Sequence, residues 1–322
     1  MRSAALGDMS TMNDYHTPVL LNECIENLNI RPGYDYADCT LGGGAHSEKI
    51  AELMSEGQKL HCFDRDIEAI NAARTRLARF GEKISYHHKP FSGLGTELGE
   101  ETLGGILYDL GVSSHQIDAN RGFSFAGNEA LDMRMDAGSG ENAQDYLKRI
   151  SEKELAKALK ENSDLEMTGR LARHILSKVS VAEVENRKIT SADLNFAIEK
   201  VYGNRKKDLN GLKARVFQAI RMEVNSEIAE IKKSVEAAVH CLKSSGRLCV
   251  ITYHSKEARA VKDVLSFFEK NCLCDVNLPV CICGGSNKKM KKVNKKPVIP
   301  SAEELKGNSR SRSAALRVYE RI

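Results

Sequence analysis

The chain has 322 residues, 41% hydrophobic and 29% charged, which supports a packed core and excludes a broadly disordered chain. Its 48 basic and 44 acidic residues leave a net charge of +4, too small to name a partner by itself. No run of roughly 18 uncharged apolar residues occurs, so no transmembrane helix is expected. The first fifteen residues hold Asp8 and Asp14 and lack the basic start and apolar stretch of a leader. The nine cysteines are therefore expected to be thiols in a reducing, cytoplasmic setting.

In chain order, Thr17-Pro18 predicts a helix start, with Leu20, Leu21, Cys24, Ile25 and Leu28 on one face and Gly33 beyond its end. Tyr34 to Cys39 predict a strand running into Thr40-Leu41-Gly42-Gly43-Gly44-Ala45-His46-Ser47. A helix with Ile50, Leu53 and Met54 on one side follows. Lys59 to Phe63 predict a second strand, ending at Asp64, and Ile70, Ala73 and Leu77 mark the next helix. Further strands are expected over 84–88 and 105–110. Strands alternating with helices predict an α/β, doubly wound parallel sheet covered on both faces.

From 113 to 211 no strand is predicted. An ordered loop is expected over 122–136, then helices over 142–150, 152–160, 166–179 and 191–202. A polar joint over 205–211 leads to one long helix from Leu212 to Leu242. Arg247 to Tyr253 predict a buried strand, a helix begins near Glu257, and Ala314 to Tyr319 predict the last strand. The domain expectation is a sheet domain over 1–112 and 212–322, interrupted by a helical insertion over 113–211.

The glycine loop lies between a strand and a helix, where glycines admit a ligand and helix N–H groups face it. Asp64 follows Gly44 by 20 residues, a spacing suited to a carboxylate that accepts from a ribose diol. Ser47 breaks the dinucleotide pattern G-x-G-x-x-G, and Asp38 sits close to the loop. An acid there suits a cationic ligand, so S-adenosylmethionine fits better than NAD. Phe91 is placed to press on an adenine ring, or else to serve as core. Asp109 ends the fourth strand in the same crevice.

Several segments together carry a resemblance. They are His16 to Leu21, Thr40 to Ser47, Phe63-Asp64-Arg65-Asp66, Asp109 to Ser114, and Arg121-Gly122-Phe123-Ser124-Phe125. Further along come Leu131-Asp132-Met133-Arg134-Met135, Phe217 to Arg221, Tyr253-His254-Ser255 and Asn308 to Ala314. In this order, across nearly the whole chain, they resemble the bacterial RsmH or MraW methyltransferases. These modify the N4 amino group of a cytidine in the decoding region of small-subunit ribosomal RNA. The resemblance implies a class I, Rossmann-like methyltransferase sheet with an inserted all-helical domain. It implies cofactor contacts at Gly44, Ala45, His46, Asp64, Phe91, Asp109 and Gln116, and the small ribosomal subunit as partner. Departures are Ala45 for glycine, His115 for proline, Ser309 for proline, and Tyr253 to Arg259 for Phe-His-Ser-Leu-Glu-Asp-Arg.

Methylating an exocyclic amine calls for an acceptor that orients it, and Asp109 is the candidate. The base must leave its stack. Phe123 and Phe125 are candidates to stack on it, with core packing as their alternative, and Arg134 to meet a phosphate. Arg310 and Arg312, with no acid between Glu304 and Arg312, form a candidate phosphate clamp. Six of the nine residues from Lys288 to Lys296 are lysine, read as a solvated loop or a phosphate-contacting strip. Cys272, Cys274, Cys281 and Cys283 form C-x-C-x6-C-x-C. Zinc sites usually space each pair by about two to four residues, so reduced thiols and no metal are expected, with zinc as the alternative. Other acceptors, such as DNA or protein, and a non-catalytic ribosome-assembly factor are the competing functional readings. The oligomeric state is open, a homodimer being one option.

Overall fold

Seven strands form one sheet in the order β3-β2-β1-β4-β5-β7-β6. They are β1 (Asp35–Asp38), β2 (Leu60–Asp64), β3 (Ile84–His88), β4 (Leu103–Asp109), β5 (Leu242–Thr252), β6 (Met290–Lys292) and β7 (Ala315–Arg321). The computed structural model describes residues 18–113, 120–203, 208–275 and 280–322. β1 to β5 run parallel, and β7 is antiparallel to both β5 and β6.

Four helices precede or separate the first four strands: α1 (Leu21–Leu28), α2 (Ala45–Leu53), α3 (Ile67–Leu77) and α4 (Leu94–Glu97). Among the described residues, five follow β4: α5 (Ala143–Arg149), α6 (Glu152–Ser163), α7 (Thr168–Val184), α8 (Ser191–Tyr202) and α9 (Leu209–Val224). Then α10 (Glu227–Cys241) leads into β5, α11 (Ser255–Glu269) leaves it, and α12 (Ala302–Gly307) precedes β7.

Side chains alternate across the sheet with the period of a strand. Tyr36, Cys62, Leu107, Cys249 and Ile251 pack under α1, α2 and α3. Ala37, Phe63, Ile106, Tyr108, Leu248 and Val250 pack under α4, α10 and α11. The doubly wound expectation therefore holds. A separate core joins α5 to α9 with Leu131 and Met133 of the preceding loop. This helical core extends to Ile220: α9 already begins at Leu209, within the joint expected over 205–211, of which 205–207 lie outside the described residues.

Three local expectations change. The first helix starts at Leu21, since Leu20 is left-handed at φ 51° and cannot begin it; Thr17 lies outside the described residues. Leu53 leaves the face of Ile50 and Met54 and is 51% exposed. The single helix expected over 212–242 is two, broken where Ser226 turns left-handed at φ 50°. The break has a tertiary cause. Asn225 accepts from Met135 N–H (2.8 Å) and donates to the Met133 and Arg221 carbonyls (2.7 and 2.9 Å).

Asn225 belongs to a polar joint between the helical unit and the sheet. Arg65 Nη1 donates to the Asn225 carbonyl (3.2 Å), and its Nη2 faces Glu230 (3.3 Å). Arg121, only 9% exposed, donates to Asp66 (3.1 Å), Glu68 (2.6 Å) and the Met135 carbonyl (3.1 Å). Lys256 of α11 reaches Asp164 past α6 (2.6 Å). Removing one member of a buried pair strands the other charge. Arg121→Ala is expected to cost about 3 kcal/mol, read as a lowered denaturation midpoint, with early proteolysis in the loop over 121–135.

Candidate active site

The carboxyl ends of β1, β2 and β4 meet at the point where the strand order reverses, between β1 and β4. Ligands of doubly wound sheets bind there. The loop after β1 is built by its own polar side chains. Asp38 is buried; it accepts from Ser47 Oγ (2.7 Å) and Thr40 N–H (3.1 Å). Thr40 Oγ1 accepts from Asp109 N–H (2.6 Å), which ties the loop to β4. Asp38 thus braces the loop from beneath, and Asp64 and Asp109 end the neighbouring strands β2 and β4.

Gly44 caps α2 at φ +78°, and a Cβ on it would lie 3.2 Å from Ala73 Cβ of α3. Its glycine serves helix packing and the left-handed turn together. Ala45 and His46 are the first two residues of α2, where N–H groups lack helical partners. Asp64 accepts from Gly42 N–H and Asp66 N–H, both at 2.9 Å, which presents its carboxylate beside the glycine turn. Burial raises the Asp64 carboxyl to about 6, with Asp66 and Asp38 adding to the rise.

Asp109 Oδ1 accepts from Tyr253 Oη (2.7 Å), and its Oδ2 lies 4.0 Å from His46 Nδ1. The Val19 carbonyl, which can only accept, is 3.0 Å from His46 Nε2. Nε2 therefore carries a proton and Nδ1 is turned to the carboxylate. Burial raises Asp109 to about 6 as well, while His46 and the Tyr253 hydroxyl act the other way. Tyr253, where the resembled family has Phe, supplies a contact that the sequence reading did not assign.

Phe91 follows β3, half-buried, edge-on to Tyr108 at 5.9 Å, with its carbonyl held by Ser234 (2.8 Å). Gln116 lies outside the described residues. Phe123 and Phe125 pack one side on the helical core, Phe125 edge-on to Phe217 at 6.3 Å, and both stay half-buried. Arg134 makes two bonds to Asp132, each 2.8 Å, so its charge is matched within its own loop. Arg310 and Arg312 lie in the short 3-10 turn Ser309–Ser313. Arg310 is half-buried, with no partner for Nη1 among the described residues, and Arg312 is exposed. This tail is near the site because Glu304 of α12 accepts from Leu20 N–H (3.0 Å), next to the Val19 that holds His46.

A buried polar cluster lies behind Asp109. Arg221 grips Glu227 with bonds of 2.6 and 2.9 Å. Glu257 accepts from Tyr253 N–H (2.7 Å) and pairs with His254 Nε2 (2.9 Å), while His254 caps α11. The motifs at 217–221 and 253–255 contain Arg221, Tyr253 and His254, whereas Glu227 lies in no motif and is joined to them only by folding.

The model of the MraW methylase family matches residues 13–322. "Ribosomal RNA small subunit methyltransferase H" of Finegoldia magna is 41% identical over 95% of this chain and 98% of its own. The proteins of that name from Clostridioides difficile and Caldicellulosiruptor saccharolyticus are 39% and 40% identical, over 97% and 95% of this chain and 100% and 99% of theirs.

The Tyr253 hydroxyl favours the ionised form of Asp109 by donating to it. Tyr253→Phe should therefore move the Asp109 carboxyl above its value of about 6, read by carbon-detected NMR titration of that side chain. An unchanged titration means that the hydrogen bond does not act on Asp109.

Proposed function

The chain belongs to the MraW methylase family, and from that premise we propose that it transfers a methyl group from S-adenosylmethionine to the N4 amino group of a cytidine in the decoding region of small-subunit (16S) ribosomal RNA. Its partner on this reading is the small ribosomal subunit, met in the cytoplasm. The observation that carries the reading is the convergence of the glycine turn, Asp64 and Asp109 on one crevice, beside a separate helical unit.

The residues fit the cofactor. Asp64 uses one lone pair on each oxygen for backbone N–H groups, which leaves acceptors for a ribose diol. The N–H groups at Ala45 and His46 suit a carboxylate, and the half-buried Phe91 ring offers a face to adenine. The resemblance implies a further contact from Gln116, which lies outside the described residues. S-adenosylmethionine supplies an electrophilic methyl carbon on a cationic sulfur. Asp109 accepts a hydrogen bond from the target amine and so aims its lone pair. With a carboxyl raised to about 6, Asp109 is ionised at neutral pH and a stronger proton acceptor than an ordinary carboxylate. The Tyr253 hydroxyl, donating to Oδ1, keeps Asp109 oriented.

Phe123 and Phe125 wall the entry of the everted base from the helical side. Arg134, paired with Asp132, stiffens that loop toward the RNA. Arg310 and Arg312 hold backbone phosphates from the opposite side.

The decisive assay mixes labelled cofactor with small subunits lacking the modification and identifies the methylated nucleoside by mass. N4-methylated cytidine is expected, and label in another nucleoside or none overturns the proposal. Asp109→Asn should bind cofactor yet lose rate by about 100-fold; an unchanged rate removes Asp109 as acceptor. Replacing Arg310 and Arg312 with alanine should flatten the salt dependence of RNA binding by ~0.7 in log-log slope per lost contact. An unchanged slope removes the clamp.

A further inference from the structure

Cys272, Cys274, Cys281 and Cys283 lie in the segment that joins α11 to β6. The one-residue spacing of each pair made free thiols the sequence expectation. Folding places the four sulfurs together. Sγ separations are 3.5 Å for Cys272–Cys281, 3.9 Å for Cys274–Cys281, 3.5 Å for Cys281–Cys283 and 3.6 Å for Cys272–Cys283. All four sulfurs lie within 4.8 Å of one another. A tetrahedron of thiolates around zinc, with Zn–S near 2.3 Å, has edges of about 3.8 Å. The set is too tight for an iron–sulfur cluster, whose cysteines are spread over several metal atoms.

The backbone supports the same arrangement. Leu273 N–H points at Cys283 Sγ (3.5 Å) and Ile282 N–H at Cys274 Sγ (3.3 Å), so each pair receives an amide from the other strand of the loop. The base of the loop is closed by Asn287, which donates to the carbonyls of Asn271, Phe267 and Lys270. Above that base none of the described residues is buried, so they form no core to hold the fold. Val280 is 70% exposed and Ile282 80% exposed, and three of the four cysteines are exposed. A small segment that keeps a defined shape without buried apolar area needs a cross-link or a metal.

We propose that Cys272, Cys274, Cys281 and Cys283 bind one zinc ion as a closed, structural tetrathiolate site. Loading replaces four S–H protons with four Zn–S bonds and releases the protons to solvent, without change of oxidation state. The resulting centre carries two negative charges beside the lysine-rich run that begins at Lys288. The five other cysteines are buried and separate from it.

The full chain, purified without chelator, should contain one zinc per molecule by elemental mass spectrometry. After reduction and metal removal it should take up cobalt with thiolate-to-cobalt charge-transfer absorption, and zinc should displace that signal. Cys272→Ser with Cys281→Ser should lose both metals but keep its helical circular dichroism, whereas Cys241→Ala should keep them. A chain that takes up neither metal when reduced overturns the proposal. So does a purified chain four hydrogens lighter than its sequence that regains them on reduction, because the sulfurs are then paired as disulfides.

Discussion

Arg121 brings a full positive charge into a nearly closed space between sheet and helical unit, and Asp66 and Glu68 neutralise it there. The geometry of the crevice depends on that contact. Asp66 also caps α3 through Glu68 N–H (3.0 Å) and donates its own N–H to Asp64. One turn therefore fixes the acid of the glycine loop and the loop that carries Phe123 and Phe125. Asn225 closes the other side by holding Met133 and Met135. A burial of this kind is stable only when every member is paired, so the two units have one defined relation.

The alternating half of the fold was readable because buried parallel strands leave short apolar runs between helices, and glycines mark the turn after β1. Acids at strand ends gave the crevice, since chain order places them at neighbouring carboxyl edges. What escaped depends on contacts distant in sequence. Apolar spacing runs on from Leu212 to Leu242, and only the Asn225 side chain, bonded to residues some ninety positions earlier, divides that helix. Met290–Lys292 has one buried residue and becomes a strand by pairing with β7. Asp38 read as an acid close to the loop, and folding adds its local partner, the hydroxyl of Ser47 in the first turn of α2. The same Ser47 that breaks the dinucleotide fingerprint is thus a brace of this loop.

The departure at Ala45 has a simple physical reading. Gly42 and Gly44 are the loop positions with positive φ, 48° and 78°, and both remain glycine. Ala45 begins α2 in ordinary helical geometry, where alanine is the better helix former. Its backbone N–H still points out of the helix end. The substitution therefore falls where the turn does not need a glycine, and the close approach of α2 to α3 stays with Gly44.

Burial and charge set the state of the free crevice. Asp64 and Asp109 both sit at about 6, above an ordinary 3.8, because burial penalises their ionised forms. A carboxyl raised on folding helps the fold most when protonated; that help is complete below about pH 4 and is lost as pH rises through about 6. At neutral pH the folded chain therefore holds two ionised carboxylates that solvent would stabilise better. Backbone N–H groups, a tyrosine hydroxyl and a histidine at 4.0 Å offset part of this cost. On the proposed reading, a ligand with a positive centre and hydroxyl donors supplies what remains and favours the ionised state in which Asp109 is proposed to act as acceptor. The electrostatic strain of the free site and the affinity proposed for such a ligand then have the same source.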